Sequence, residues 1–265
     1  MPIAFITGGS SGIGQALAEH YLQAGWRVAL VARRLAPMQD WWHAVQGRLG
    51  LADDACLLMT GNVDHAEDMI ACAAQCAAHW GVPDLVLANA GISLGVDSAQ
   101  AEDLPVFAQV MQTNVMGVLH TMHPFVTPMR LRGSGHLVVV ASVAGIRGLP
   151  GHAAYCASKA AAIAYAESLR GELKGTGVRV TALAPGYVAT PLTARNRYPM
   201  PFLLSAPAFA KRAARAIAKR DGLVVVPWPM AWVARLLRVL PDAWFDRALK
   251  GQPRKHRARD RQENQ

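Results

Sequence analysis

A phenol and an ammonium stand four residues apart in the run Tyr155-Cys156-Ala157-Ser158-Lys159. On a helix that spacing puts both groups on one face. A nearby cation favours the phenolate, so the Tyr155 pKa is expected to fall below its ordinary value of about 10. Such a tyrosine can act as a general acid near neutral pH. Ser142 closes the apolar run His136–Ser142 thirteen residues upstream, at the strand end where open α/β sheets bind ligands. Its hydroxyl could hold a carbonyl oxygen. Taken singly, the Tyr/Lys pair reads as a solvated or packing pair and the serine as a turn residue. Taken together, in a strand-to-helix context, they describe an acid beside an oxygen-orienting hydroxyl.

A second group lies at the N-terminal end. The apolar run Ile3–Thr7 leads into Gly8-Gly9-Ser10-Ser11-Gly12-Ile13-Gly14, and a helical pattern begins there. Gly8, Gly12 and Gly14 sit where the chain must turn sharply and let a pyrophosphate approach the backbone. The amides and positive dipole end of the following helix would face that phosphate. The spacing is G-x-x-x-G-x-G and not G-x-G-x-x-G, and an ordinary glycine-rich turn is the competing reading.

The next apolar run ends in Val31-Ala32-Arg33-Arg34, with no carboxylate before Asp40. An NAD site wants an acid at that place to hold the ribose 2′-hydroxyl. A guanidinium fork instead matches a 2′-phosphate. The two arginines therefore favour NADP(H), against the alternative that they are solvated loop charges.

These groups need a scaffold. Ile3–Thr7, Trp26–Ala32, Ala55–Thr60, Asp84–Asn89, His136–Ser142, Val178–Ala184 and Leu223–Val226 read as strands. Helical patterns fall at about 12–25, 37–49, 65–80, 102–131 and 152–174. Apolar runs without alternation suit strands covered on both faces. The alternating order implies right-handed crossovers and a doubly wound parallel α/β sheet.

Composition agrees. In 265 residues, 52% are apolar and 17% charged, which supplies a core and excludes a disordered chain. Four cysteines are too few for a disulfide framework. No apolar run reaches the roughly 18 residues that span a bilayer, and no basic leader precedes the first strand, so the cytoplasm is the expected compartment. Residues 1–210 carry 13 basic and 13 acidic side chains, whereas 211–265 carry 14 and 5, so the whole +9 lies in the C-terminal stretch. A body without net charge argues against nucleic-acid binding.

The ordered set Gly8–Gly14, Asn89-Ala90-Gly91, Asn114, Ser142, Tyr155 and Lys159 resembles the short-chain dehydrogenase/reductase family, from residue 3 to about 190. The resemblance implies a single, three-layer, Rossmann-type domain over about 1–250 with a seven-stranded parallel sheet. It implies that Tyr155 protonates the substrate oxygen, Ser142 orients and polarises the carbonyl, and Lys159 binds the nicotinamide ribose and lowers the tyrosine pKa. Asn114 would hold a water linking Lys159 to solvent. Ser10, Ser11 and Ile13 belong to the phosphate turn, and Asn89, Ala90 and Gly91 to the cofactor floor. Pro185, Gly186, Val188 and Thr190 would line the nicotinamide. The sequence departs from the family pattern at Ala88, where a first asparagine is common. It departs again at Asn62, where an aspartate commonly touches the adenine amino group. The Asn62 amide can accept from the same group, with Val63 packing on the ring.

The stretch 187–210 is then a lid, and Leu192, Tyr198, Met200, Phe202, Leu203 and Leu204 suit an apolar carbonyl substrate, unless they pack on the body. Ser205 is a candidate N-cap for the following helix. From Pro229 to about residue 250 an amphipathic pattern carries Val233, Leu236, Leu237 and Leu240, with Arg235 and Arg238 opposite and Trp228, Trp232, Trp244 and Phe245 adding bulk. Packing on the domain or a dimer partner is the preferred reading; an anionic membrane surface is the alternative. Residues 251–265, with a basic run from Arg254 to Arg261, read as a disordered tail. Cys72, Cys76 and Cys156 read as core, and the nine histidines show no ligand spacing, so no metal is expected. The leading expectation is an NADP(H)-dependent oxidoreductase acting on a small carbonyl or secondary alcohol, assembled as a homodimer or homotetramer. The rival is a non-catalytic dinucleotide-binding sensor or scaffold.

Overall fold

Every one of the seven apolar runs becomes a strand of one parallel sheet. The computed structural model describes residues 1–194, 196, 199–219, 222–251, 255 and 257. The strands are β1 (Ile3–Thr7), β2 (Arg27–Ala32), β3 (Cys56–Thr60), β4 (Leu85–Ala88), β5 (Gly135–Val140), β6 (Val178–Pro185) and, after two short lid strands β7 (Val188–Ala189) and β8 (Leu204–Ser205), β9 (Gly222–Val226). The order across the sheet is β3-β2-β1-β4-β5-β6-β9. It reverses between β1 and β4, which opens a crevice at the C-terminal ends of those two strands.

Alternate residues of each strand feed two cores. Ala4 and Ile6 of β1 face the side covered by α1 (Gly12–Gln23), α2 (Ala36–Leu49) and α7 (Ala206–Lys219). Ile3 and Phe5 face α3 (Ala66–Trp80), α5 (Gly117–Arg132) and α6 (Ala153–Glu172). The Phe5 and Phe125 rings meet there at 4.7 Å. Burial on both faces is why these strands read as unbroken apolar runs.

The long helical pattern expected at 102–131 divides. α4 (Leu104–Met111) passes through a π-helical turn, Gln112–Met116, into α5. A π turn inserts one residue into the helical register and re-aims the side chains it holds; here it holds Asn114. The Ser205 hydroxyl accepts from Ala208 N at 3.4 Å, as an N-cap should. After β9 come α8 (Trp228–Val239) and α9 (Asp242–Leu249).

Of the segment expected to be a disordered tail, Lys255 and Arg257 are placed against the body. The Lys255 ammonium donates to Ser93 Oγ at 2.7 Å. The Arg257 guanidinium forks onto Asp103, at 2.9 and 3.1 Å. Asp103 is only 2% exposed, and a carboxylate out of water demands a cation. The other basic residues of the run from Arg254 to Arg261, and His256, lie outside the described residues, as does Tyr198 of the lid.

Candidate active site

Gly8 and Gly12 turn with φ of +74° and +63°, a region that favours glycine. The β1–α1 turn they build leaves the first amides of α1 without a side-chain cap, since Ser11 makes none. Those amides and the helix dipole face the crevice, a ready anion site. Gly14 does not line it. A Cβ at Gly14 would stand 2.3 Å from the Gly8 carbonyl and 2.8 Å from Asn89 Nδ2, so this glycine lets α1 pack against the turn behind the phosphate position.

The floor between β1 and β4 is laced by Thr7, which sequence reasoning treated only as a strand end. Its hydroxyl accepts from the amides of Asn89 and Ala90 at 3.1 and 3.2 Å, and Asn89 Nδ2 returns to the Thr7 carbonyl at 2.9 Å. Asn89 is thus held by the end of the neighbouring strand, which fixes Ala90 and Gly91 in the crevice wall.

That crevice encloses about 450 Å³. Its walls contain Ser10, Ser11 and Ile13 beside the first two motif glycines, then Arg33 and Arg34 at the end of β2, and Asn62 and Val63 after β3. Pro185, Gly186, Val188 and Thr190 close the far side. Arg33 and Arg34 are exposed, and neither makes an ion pair among the described residues. The Asn62 oxygen accepts from Asp64 N at 3.2 Å, which leaves its NH₂ group for a ligand. A groove with uncapped helix amides and two guanidinium groups in its walls suits a dinucleotide, whose phosphates are anionic.

Ser142, Tyr155 and Lys159 meet at the other end of the groove. Tyr155 and Lys159 come from α6 and Ser142 follows β5, one residue beyond Ala141. The Tyr155 and Ser142 side chains are hydrogen-bonded. Lys159 is 4% exposed; its Nζ donates to the Val140 carbonyl at 2.8 Å and lies 5.9 Å from the centroid of the Tyr155 ring. Asn114, fully buried, spends its amide elsewhere. Its Oδ1 accepts from Ile92 N at 2.8 Å, and its Nδ2 donates to Ile92 O at 2.9 Å and Ser158 Oγ at 3.0 Å. Gly91 passes between Asn114 and Lys159 so closely that a Cβ there would sit 3.1 Å from one and 3.4 Å from the other.

The expected fall in the Tyr155 pKa is corrected. Burial dominates and raises it above 10, with the Ser142 hydrogen bond pulling it back only in part. The Lys159 ammonium points at a carbonyl and not at the phenol, so its field does not overcome the loss of water. Tyr155 therefore holds its proton at neutral pH. Burial acts on Lys159 in the same currency, lowering its pKa to about 8.

A second cavity of about 440 Å³ adjoins the groove. The two share Ser142, Tyr155, Gly186, Leu192 and Thr193. Its walls are not those expected from the lid. Leu192 contributes, but Phe202 and Leu203 are 51% and 45% exposed and face away from it. Pro199 and Pro201 take their place, and α8 supplies Met230, Val233, Ala234 and Leu237. The pairing of β7 with β8 ties the two ends of the lid together and fixes this arrangement. Besides Ser142 and Tyr155, polar groups in the wall include Ser93, Arg147, His152, Tyr187, Asn196 and Lys255; sequence reasoning assigned none of them a role in the site, because they come from loops and the C-terminal segment, where no periodicity marks them.

Comparison with known proteins agrees with this architecture. The family model described as short chain dehydrogenase matches residues 2–200. An uncharacterized oxidoreductase of Myxococcus xanthus (strain DK1622) is 39% identical over 247 residues, 93% of this chain and 96% of that protein. The crystal structure of levodione reductase superposes with a TM-score of 0.77 at 25% identity, covering 85% of this chain and 95% of the other. An alcohol dehydrogenase from the archaeon Thermococcus sibiricus, complexed with 5-hydroxy-NADP, superposes with a TM-score of 0.75 at 26% identity, covering 85% and 96%. The chain belongs to the short-chain dehydrogenase/reductase family. It is an oxidoreductase of that family, built on a nicotinamide-binding fold.

Proposed function

We propose that the protein is an NADP(H)-dependent reductase of an apolar carbonyl compound, or the dehydrogenase of the corresponding secondary alcohol. One observation carries the reading: Ser142 and Tyr155 stand in the shared wall of the dinucleotide-shaped groove and the adjoining cavity. A carbonyl in that cavity would meet both hydroxyls on the side open to the groove.

When bound, the nicotinamide supplies or accepts the hydride. The protein's own residues do the rest. Ser142 holds and polarises the carbonyl oxygen, and Tyr155, kept protonated by burial, delivers its proton to that oxygen as negative charge develops. Lys159 holds the ribose and, while charged, supports the phenolate left after transfer. Asn114 acts as a positioning residue that keeps the Gly91–Ile92 backbone against Lys159; reprotonation through a water at this point is the step the family resemblance implies. The phosphate turn and α1 amides hold the pyrophosphate. Arg33 and Arg34 hold the 2′-phosphate, and Asn62 and Val63 the adenine.

The apolar α8 wall supports an apolar substrate, and the complete acid set disfavours a non-catalytic sensor. The four free cysteines, all buried, suit a reducing compartment such as the cytoplasm. The test is oxidation of NADPH and NADH, followed at the nicotinamide absorbance, across aliphatic and aromatic ketones and aldehydes. Turnover with NADPH on at least one apolar carbonyl is expected. Binding of NADPH without turnover on any member would contradict the enzymatic reading.

A further inference from the structure

The two faces of α8 are both apolar, and only one is covered. Met230, Val233, Ala234 and Leu237 point inward and wall the second cavity. Trp228, Trp232, Leu236 and Val239 fall on the opposite side at helical spacing, between 64% and 77% exposed, and Trp244 of α9 is 70% exposed. Isolated exposed apolar residues are ordinary, but a contiguous aromatic stripe marks an interaction surface.

The stripe has a cationic border. Arg235 is exposed, with its guanidinium 5.6 Å from the centroid of the Trp232 ring. Arg247 and Lys250 are exposed as well, as is Arg238, whose guanidinium also donates to the Ile146 carbonyl at 3.2 Å. α8 itself carries two arginines and no carboxylate. Of the two in α9, Asp242 pairs with Arg147 at 2.7 Å and Asp246 is exposed, which leaves the cations of α8 and α9 in excess. The stretch 211–265 as a whole holds 14 basic and 5 acidic residues.

We propose that the outer face of α8 docks on an anionic lipid surface. Tryptophans bordered by arginine match the interface between headgroups and acyl chains, where the rings sit in the apolar layer and the cations meet lipid phosphate. A second copy of the chain fits less well, because a two-fold contact sets the patch against itself and would gather the excess positive charge of both copies into one interface. The 12 residues of α8 are too few to span a bilayer, which takes about 20. Among the described residues no helix is long and apolar enough to cross a membrane. The helix would lie in the surface plane, with the cavity beside Tyr155 directly behind it. Arg147 holds it in that attitude, donating to the Leu237 and Leu240 carbonyls at its C-terminal end.

The experiment is flotation of the full-length protein with vesicles of equimolar phosphatidylglycerol and phosphatidylcholine, beside vesicles of phosphatidylcholine alone. The readout is protein partition, so it is independent of turnover and of the proposed reaction. The intact chain is expected to float with the anionic vesicles and to be released by high salt. It should float much less with the neutral ones. Trp232→Ser combined with Leu236→Ser, both at exposed positions, should cut anionic flotation about tenfold or more with the thermal midpoint unchanged. An intact chain that stays in solution with both vesicle types overturns the proposal. So does flotation that survives in the double variant, which would assign binding to another part of the basic C-terminus. Sedimentation that shows the double variant losing a dimer, with no flotation in either form, also overturns it and gives the face to a second copy.

Discussion

Lys159 Nζ donates to the Val140 carbonyl at 2.8 Å while Tyr155, on the same helix, keeps its ring centroid 5.9 Å away. The ammonium is thus suspended from the end of β5, beside the phenol ring. Burial brings the Lys159 pKa to about 8. It is charged below that pH and neutral above it. If its charge supports the phenolate, kcat/KM for carbonyl reduction should be level below about pH 8 and fall above it. Lys159→Arg, charged throughout, should remove that bend. The linked stability effect has the opposite sign. Between about 8 and 10.5 the unfolded chain binds the proton that the folded one has released, so Lys159 makes stability rise with pH across that window. A pH–rate profile with a bend that is identical in Lys159→Arg would contradict the assignment.

Arg33 is the test of cofactor choice. Replacing it by aspartate sets a carboxylate where a 2′-phosphate is expected and removes a charge-assisted hydrogen bond worth roughly 1.5–3 kcal/mol. The KM for NADPH should rise about tenfold or more, with the KM for NADH level or lower. An unchanged NADPH/NADH ratio in Arg33→Asp would reject the 2′-phosphate role.

Gly14→Ala should fail for a steric reason. The new Cβ would lie 2.3 Å from the Gly8 carbonyl oxygen, a backbone atom that cannot swing aside. α1 must shift away from the turn, lowering the thermal midpoint and weakening NADPH binding together. Overpacking of this kind typically costs about 1–3 kcal/mol. Calorimetry with and without NADPH reads both effects.

Arg147 is predicted to set the shape of the second cavity. Its guanidinium donates to the carbonyls that end α8, pairs with Asp242 and stacks 4.0 Å over the Phe245 ring. Arg147→Ala frees the C-terminal end of the α8 wall. The KM for the carbonyl substrate should rise about tenfold, in line with hydrogen bonds to a charged donor, while NADPH affinity stays put. Steady-state kinetics with each substrate varied in turn separates the two.

These residues show what the chain makes legible. Short-range physics reads well. The seven apolar runs became the seven strands because burial on both faces leaves an unmistakable composition. Gly8 and Gly12 were findable because a tight turn requires their φ values. Ser142 and Tyr155 were findable because strand-end and helix-face positions are local facts. What depended on the assembled interior was not legible. The direction of the Tyr155 pKa is set by how much water the fold removes. The π turn around Asn114 leaves no mark in a helical periodicity. Phe202 and Leu203 look like lid lining until the β7–β8 pairing fixes which way the loop faces. On α8 the apolar positions surround the helix, so periodicity could not say that the tryptophans are the side left bare.

The most direct measurement sets Tyr155→Phe beside the parent enzyme in two assays, NADPH binding by fluorescence titration and NADPH oxidation with a ketone that the parent reduces. The substitution removes one oxygen atom from the junction of the two cavities. Binding should persist within a few-fold, and turnover should fall by about 10²–10⁴, the usual contribution of a positioned general acid. Turnover at the parental rate would mean that the proton comes from elsewhere and that the convergence of Ser142, Tyr155 and Lys159 is not the catalytic centre.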